Sequence, residues 1–102
     1  MTLQQLKYIL TIAEKGKISD AARELYIRQP SLTAPVRELE KELGITIFNR
    51  TNKGVVVSRE GEEFLAYARQ VVEQVNLIEE KYTGKIRGRW TFVFPLSTIL
   101  SL

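Results

Sequence analysis

The sequence predicts a mainly α chain: three short helices, a two-stranded hairpin and one long helix. Three observations carry that reading. Apolar residues recur at helical spacing through residues 2–43, interrupted by Gly16 and Gly44. Two β-prone runs then flank a polar, Gly-ended turn between Ile45 and Ser58. Beyond Arg59, Phe64, Ala68, Val71, Val75, Ile78 and Tyr82 follow one another at steps of 4, 3, 4, 3 and 4.

The first helix is expected to start at Thr2. Thr2 and Gln5 fit a capping box, in which each side chain satisfies a backbone amide of the first turn. Leu3, Leu6, Leu10 and Ala13, with Ile9 beside them, form its apolar stripe. Lys15 and Gly16 supply a cation in the last turn and a left-handed stop. The second helix is expected to cover Asp20 to Leu25, with Ser19 as its N-cap. Its pair Ala21 and Ala22 allows two helices to cross closely.

The third helix is expected from Gln29 to Leu43. Leu32, Val36, Leu39 and Leu43 make one stripe, and Gly44 closes the helix. The opposite face carries Pro30, Thr33, Ala34, Arg37 and Lys41. It opens small and polar and ends basic. A helix that enters the major groove needs that order: short groups approach base edges, and longer cations reach phosphates. Gln29 suits adenine, and Thr33 suits a base edge or a thymine methyl. The same pattern also fits an ordinary solvated face.

Ile45 to Phe48 and Val55 to Ser58 then flank Asn49–Gly54, which reads as a hairpin leaning on the helices. A helix-turn-helix with such a hairpin is a winged helix. Arg50 and Lys53 sit where a wing meets DNA backbone or minor groove. Ser58 should cap the long helix, from about Arg59 to Tyr82, roughly 36 Å at 1.5 Å per residue. That is too long for the preceding 58 residues to cover, so its seam (Phe64, Ala68, Val71, Val75, Ile78, Tyr82) predicts dimerisation. Residues 85–102 hold a strand-like run, Trp90 to Phe94, followed by an apolar end.

Composition narrows the function. The 102 residues suit one small domain. There is no cysteine and no histidine. That excludes disulfides, thiolate metal sites and imidazole catalysis, and leaves a zinc site only carboxylates. No catalytic residue, metal or cofactor is expected. No signal peptide or membrane span is apparent, so a cytoplasmic location is expected. The net charge of +3 is unevenly spread: residues 1–60 carry +3, residues 61–84 carry −3, and residues 85–102 carry +3. A basic front half suits a nucleic-acid partner.

Several blocks carry a specific resemblance: LKYILTIAEKGKISDAARELYIRQPSLT, then LEKELGITIFNR, then VSREG before the long helix. Over about residues 1–84 the chain resembles the amino-terminal DNA-binding region of the LysR-type bacterial transcriptional regulators. The resemblance implies a winged helix-turn-helix (1–58), a dimerising linker helix (59–84), and a tail (85–102) that is the remnant of the start of an effector-binding domain. It implies binding to double-stranded DNA as a homodimer, tetrameric in a full-length regulator, with no small-molecule inducer for this chain. The family's DNA-contacting positions fall on Gln29, Pro30, Ser31, Thr33 and Arg37, with Arg50 at the wing. Leu39, Glu40, Leu43 and Gly44 match its structural positions. Arg28 stands where the family usually has Ser or Thr, which removes a capping oxygen worth roughly 1 kcal/mol and offers a phosphate contact instead. Pro35 lies in the second turn of the third helix and deletes the bond to the Ser31 carbonyl. The expected DNA-binding set is therefore Arg28, Gln29, Pro30, Ser31, Thr33, Ala34, Arg37, Arg50 and Lys53. A different class of function uses the same long helix: a module that pairs with intact regulators and disables them.

Overall fold

The computed structural model describes residues 1–84. The order is α1 (Leu3–Lys15), α2 (Ile18–Glu24), α3 (Gln29–Leu43), β1 (Phe48–Thr51), β2 (Gly54–Val57) and α4 (Arg59–Thr83). The chain divides into two compact units, the first Met1–Arg69 and the second beginning at Gln70. The strand expected at Trp90–Phe94 and the rest of 85–102 lie outside the described residues.

Helix α1 begins as its sequence dictates. The Gln5 N–H donates to Thr2 Oγ1 at 3.1 Å, and the Thr2 N–H donates to Gln5 Oε1 at 2.8 Å, completing the capping box. Gly16 ends the helix at φ 77°, and its N–H donates to the Ile12 carbonyl. Leu6, Ile9, Leu10 and Ile12 are buried, while Leu3 and Ala13 are half-buried at the margins. Each such Leu or Ile stabilises the unit by roughly 1.5–3 kcal/mol when fully removed from water.

Helix α2 starts earlier than expected. Lys17, not Ser19, is the N-cap, and no side chain caps the helix. Ile18 is drawn into the helix because the chain turns directly out of Gly16. Ala21 and Ala22 are buried, and α2 packs against both α1 and α3. The turn out of α2 is a Schellman motif. The Tyr26 N–H donates to the Arg23 carbonyl at 3.2 Å, and the Ile27 N–H to the Ala22 carbonyl at 3.0 Å. Tyr26 takes the left-handed position, φ 57°, which glycine usually fills.

Helix α3 matches its expected bounds and ends in a left-handed Gly44. Leu32, Val36 and Leu39 are buried. The helix runs through Pro35 without a break. Gln5 Nε2 donates to the Pro35 carbonyl at 3.0 Å, tying this irregular turn to the start of α1.

The hairpin is displaced along the sequence. Ile45–Ile47 is a lead-in rather than strand, and β1 runs only from Phe48 to Thr51. Glu40 holds this lead-in to α3: its carbonyl accepts the Ile45 N–H at 3.2 Å, and its Oε2 accepts the Ile47 N–H at 2.6 Å and the Phe48 N–H at 3.2 Å. Phe48 pairs with Val57, Arg50 with Val55, and Thr51 with Gly54, which leaves the two-residue turn Asn52–Lys53.

Ser58 leads into α4 as expected. Its Oγ accepts the Gly61 N–H at 2.9 Å, and its hydroxyl donates to the Thr46 carbonyl. Within the first unit Leu65 and Ala68 are buried and Tyr67 is exposed. Within the second unit Val72 and Asn76 are buried, Val75 is half-buried, and Val71, Ile78 and Tyr82 are exposed.

Candidate nucleic-acid interface

The wing is anchored by short bonds to the helices. The Val55 N–H donates to the Gly16 carbonyl at 2.9 Å, joining β2 to the α1–α2 turn. Gly54 makes that approach possible: a Cβ there would lie 2.2 Å from the same carbonyl oxygen. Glu40 holds the other end of the hairpin to α3. At the tip, Thr51 Oγ1 accepts the Lys53 N–H at 3.3 Å, and its hydroxyl donates to the Gly54 carbonyl at 3.1 Å. The wing thus stands fixed beside α3.

The nine residues expected at the interface lie on α3 and the wing. Arg28, Gln29, Pro30, Ser31, Ala34 and Arg37 are exposed along α3 and its N-cap. Arg28 is the N-cap of α3 and makes no side-chain capping bond. Thr33 is half-buried, and its hydroxyl donates to the Gln29 carbonyl at 3.1 Å. Its proton is therefore used within the helix, while its lone pairs stay free to accept. Arg50 and Lys53 are exposed. Arg50 lies in β1 rather than in the turn, opposite Val55.

Two concavities bring parts of this set together. Thr33, Arg37 and Arg50 share a small cleft of about 40 Å³ with Glu40 and Phe48. Gln29, Arg50 and Lys53 share an open groove of about 390 Å³. Pro30, Ser31, Ala34 and Arg28 line neither; they stand on the open face of α3 or at its start. The groove also contains Lys17, Ser19 and Asn52, which sequence reasoning did not place there. The missed signal is a long-range pairing: nothing near Lys17 in the sequence indicates that the wing returns to Gly16. Among the described residues, none of Lys17, Arg28, Arg37, Arg50 and Lys53 takes part in an ion pair.

Such a surface presents a polar helix N-terminus beside a basic hairpin. The family model for bacterial regulatory helix-turn-helix proteins of the lysR family matches residues 3–62. The chain belongs to the lysR family. It is 36% identical over 88 residues to the HTH-type transcriptional regulator ClcR of Pseudomonas putida. That match covers 86% of this chain but 30% of ClcR, so the chain spans under a third of that regulator's length. Among solved structures, the DNA complex of the CbnR DNA-binding domain is 31% identical with a TM-score of 0.76. It covers 82% of this chain and 97% of that one. Full-length OxyR C199D from Pseudomonas aeruginosa is 37% identical with a TM-score of 0.76, over 87% of this chain and 29% of that one.

These likenesses and the observed elements agree on the fold. This lysR-family chain carries a winged helix-turn-helix, with α2 and α3 as the helix pair and β1–β2 as the wing. Among the described residues no helix is long and apolar enough to cross a membrane.

The six seam residues of α4 separate by unit. In the first unit Phe64 is half-buried and Ala68 is 2% exposed, while Tyr67 stands 61% exposed. Ala68 therefore faces inward, and Tyr67 occupies the outward position that the regular 4–3 spacing assigned to Ala68. In the second unit Val71, Ile78 and Tyr82 are exposed and Val75 is half-buried.

Proposed function

We propose that this chain binds double-stranded DNA sequence-specifically as the DNA-reading part of a LysR-type transcriptional regulator. The observation that carries the reading is the uncompensated basic wing fixed beside the exposed N-terminus of α3. Helix α3 lies in the major groove, where Gln29 and Thr33 meet base edges and Pro30, Ser31 and Ala34 allow close approach. Arg28, Arg37, Arg50 and Lys53 hold phosphates and fix the register. The CbnR DNA-binding domain, of similar fold, is described as a complex with DNA. Helix α4 pairs two copies through its outward apolar positions, so two α3 helices read two half-sites.

The test is selection of bound duplexes from a random pool at stated salt, with the particle mass measured on the same sample. The reading expects one enriched sequence with two related half-sites, bound by a dimer. Recovery of unselected duplexes only would contradict sequence-specific recognition. The exposed Val71, Ile78 and Tyr82 also favour a second reading, pairing with an intact regulator of the same family. A chain that retards no duplex, yet co-elutes with such a regulator, would establish that alternative instead.

A further inference from the structure

The groove beside the wing contains a cation that the reading above does not use. We propose that Lys17 is a phosphate-binding residue, acting with Arg50 and Lys53 on the DNA backbone strand that runs between the major groove entered by α3 and the wing. The inference rests on the DNA-binding reading and goes beyond it by placing a residue and a phosphate.

The groove's chemistry selects an anion. Lys17, Arg50 and Lys53 line it together, with Ser19, Gln29 and Asn52 as uncharged polar neighbours. No Asp or Glu lies in that lining. All three cations are exposed, and none is in an ion pair among the described residues. Lys15 and Arg23, close by in sequence, differ in this respect. Lys15 pairs with Glu24 at 3.3 Å and Arg23 with Asp20 at 3.7 Å.

Geometry then selects the phosphate of a duplex. One wall of the groove contains Gln29, the first residue of α3, and another is the turn of the wing. A duplex with α3 in its major groove and the wing in the adjacent minor groove passes one backbone strand between the two. That strand crosses this groove. Lys17 is also held in place for the task. The Gly16 carbonyl accepts the Val55 N–H at 2.9 Å, and Lys17 Cγ lies 3.1 Å from where a Cβ on Gly54 would stand. The lysine stem lies against Gly54 of the wing, in the same groove as Lys53.

The experiment uses the whole chain with its selected duplex and measures affinity against salt for wild type, Lys17→Gln and Lys17→Arg. One lost phosphate contact reduces the steepness of log K against log salt by about 0.9. Lys17→Gln is expected to show that reduction with unchanged base preference and melting temperature, and Lys17→Arg to keep the wild-type slope. A companion scan replaces one phosphate at a time by a neutral methylphosphonate. Wild type should be sensitive at a position between the major-groove and wing footprints, and Lys17→Gln should lose sensitivity there. A full slope in Lys17→Gln overturns the inference while leaving DNA binding intact. So does a wild-type scan without a sensitive phosphate between the footprints, a result that needs no variant to fold. A wild-type chain that retards no duplex overturns the DNA-binding reading, and this inference with it.

Discussion

Arg28 holds the N-cap position of α3 without bonding to the helix it caps. Replacing it with Ser or Asp supplies an oxygen for the amides of the first turn. Arg28→Ser should therefore stabilise the fold by about 1 kcal/mol, read as a higher melting temperature. The same variant should bind DNA more weakly at low salt, because it removes the cation proposed to hold a phosphate. A gain in both would contradict the phosphate role. Tyr26 is a second residue at odds with its backbone. A left-handed conformation costs a non-glycine residue roughly 1–2 kcal/mol, so Tyr26→Gly should also raise the melting temperature. Arg28 was legible in the sequence, because a capping preference is local and Arg lacks an acceptor. Tyr26 was not, because the left-handed turn is set by the packing of α2 against α1 and α3 rather than by Tyr-Ile themselves. Thr33 was legible as a residue of the exposed face, but not its back-bond to Gln29. Thr33→Val should therefore preserve any thymine-methyl preference, whereas Thr33→Ala should alter it. Selection of bound sequences with each variant separates the two.

Secondary-structure elements were mostly legible from local signals, with the Ser19 cap an exception: α2 starts at Ile18 with Lys17 as its N-cap. The capping box of α1, the glycine stops at Gly16 and Gly44, and the Ser58 cap all appear as their spacing dictates. Boundaries moved where a distant group intervened. Ile45–Ile47 reads as strand by composition, yet it is a lead-in that Glu40 holds to α3. Glu40→Ala leaves the N–H of the fully buried Ile47 without that acceptor. A loss of about 1–3 kcal/mol is expected, recovered in part by Glu40→Gln. Unfolding by denaturant measures it. Gly61 illustrates the same limit. A methyl there would lie 2.5 Å from the Ile47 carbonyl oxygen, which is backbone and cannot swing aside. Gly61→Ala should cost about 1–3 kcal/mol, a figure set by overpacking rather than by helix propensity. Helix propensity alone would favour Ala at that position. Pro35 was expected to disturb α3; the helix continues through it, with Gln5 bonded to its carbonyl.

At the scale of the whole molecule, the sequence revealed a basic front half and a long helix whose apolar spacing exceeds what a small domain covers. It could not say which side of that helix faces inward. The 4–3 spacing groups Ala68 with Val71, whereas Ala68 is buried and Tyr67 is turned out. Spacing gives a stripe's period, but its phase is set by three-dimensional packing. The dimer reading follows the exposed positions, so Ile78→Glu should yield a monomer by light scattering, with a melting temperature that no longer rises with protein concentration. Ala68→Glu should instead lower the melting temperature, because it places a charge in the core. The central claim is that α3 reads bases while the wing's cations hold the backbone. Its most direct measurement is the salt dependence of binding to the selected duplex for wild type and Arg50→Ala. The account predicts a slope of log K against log salt shallower by about 0.9 in the variant, with the selected sequence unchanged. An unchanged slope, or a changed sequence preference at constant slope, would contradict it.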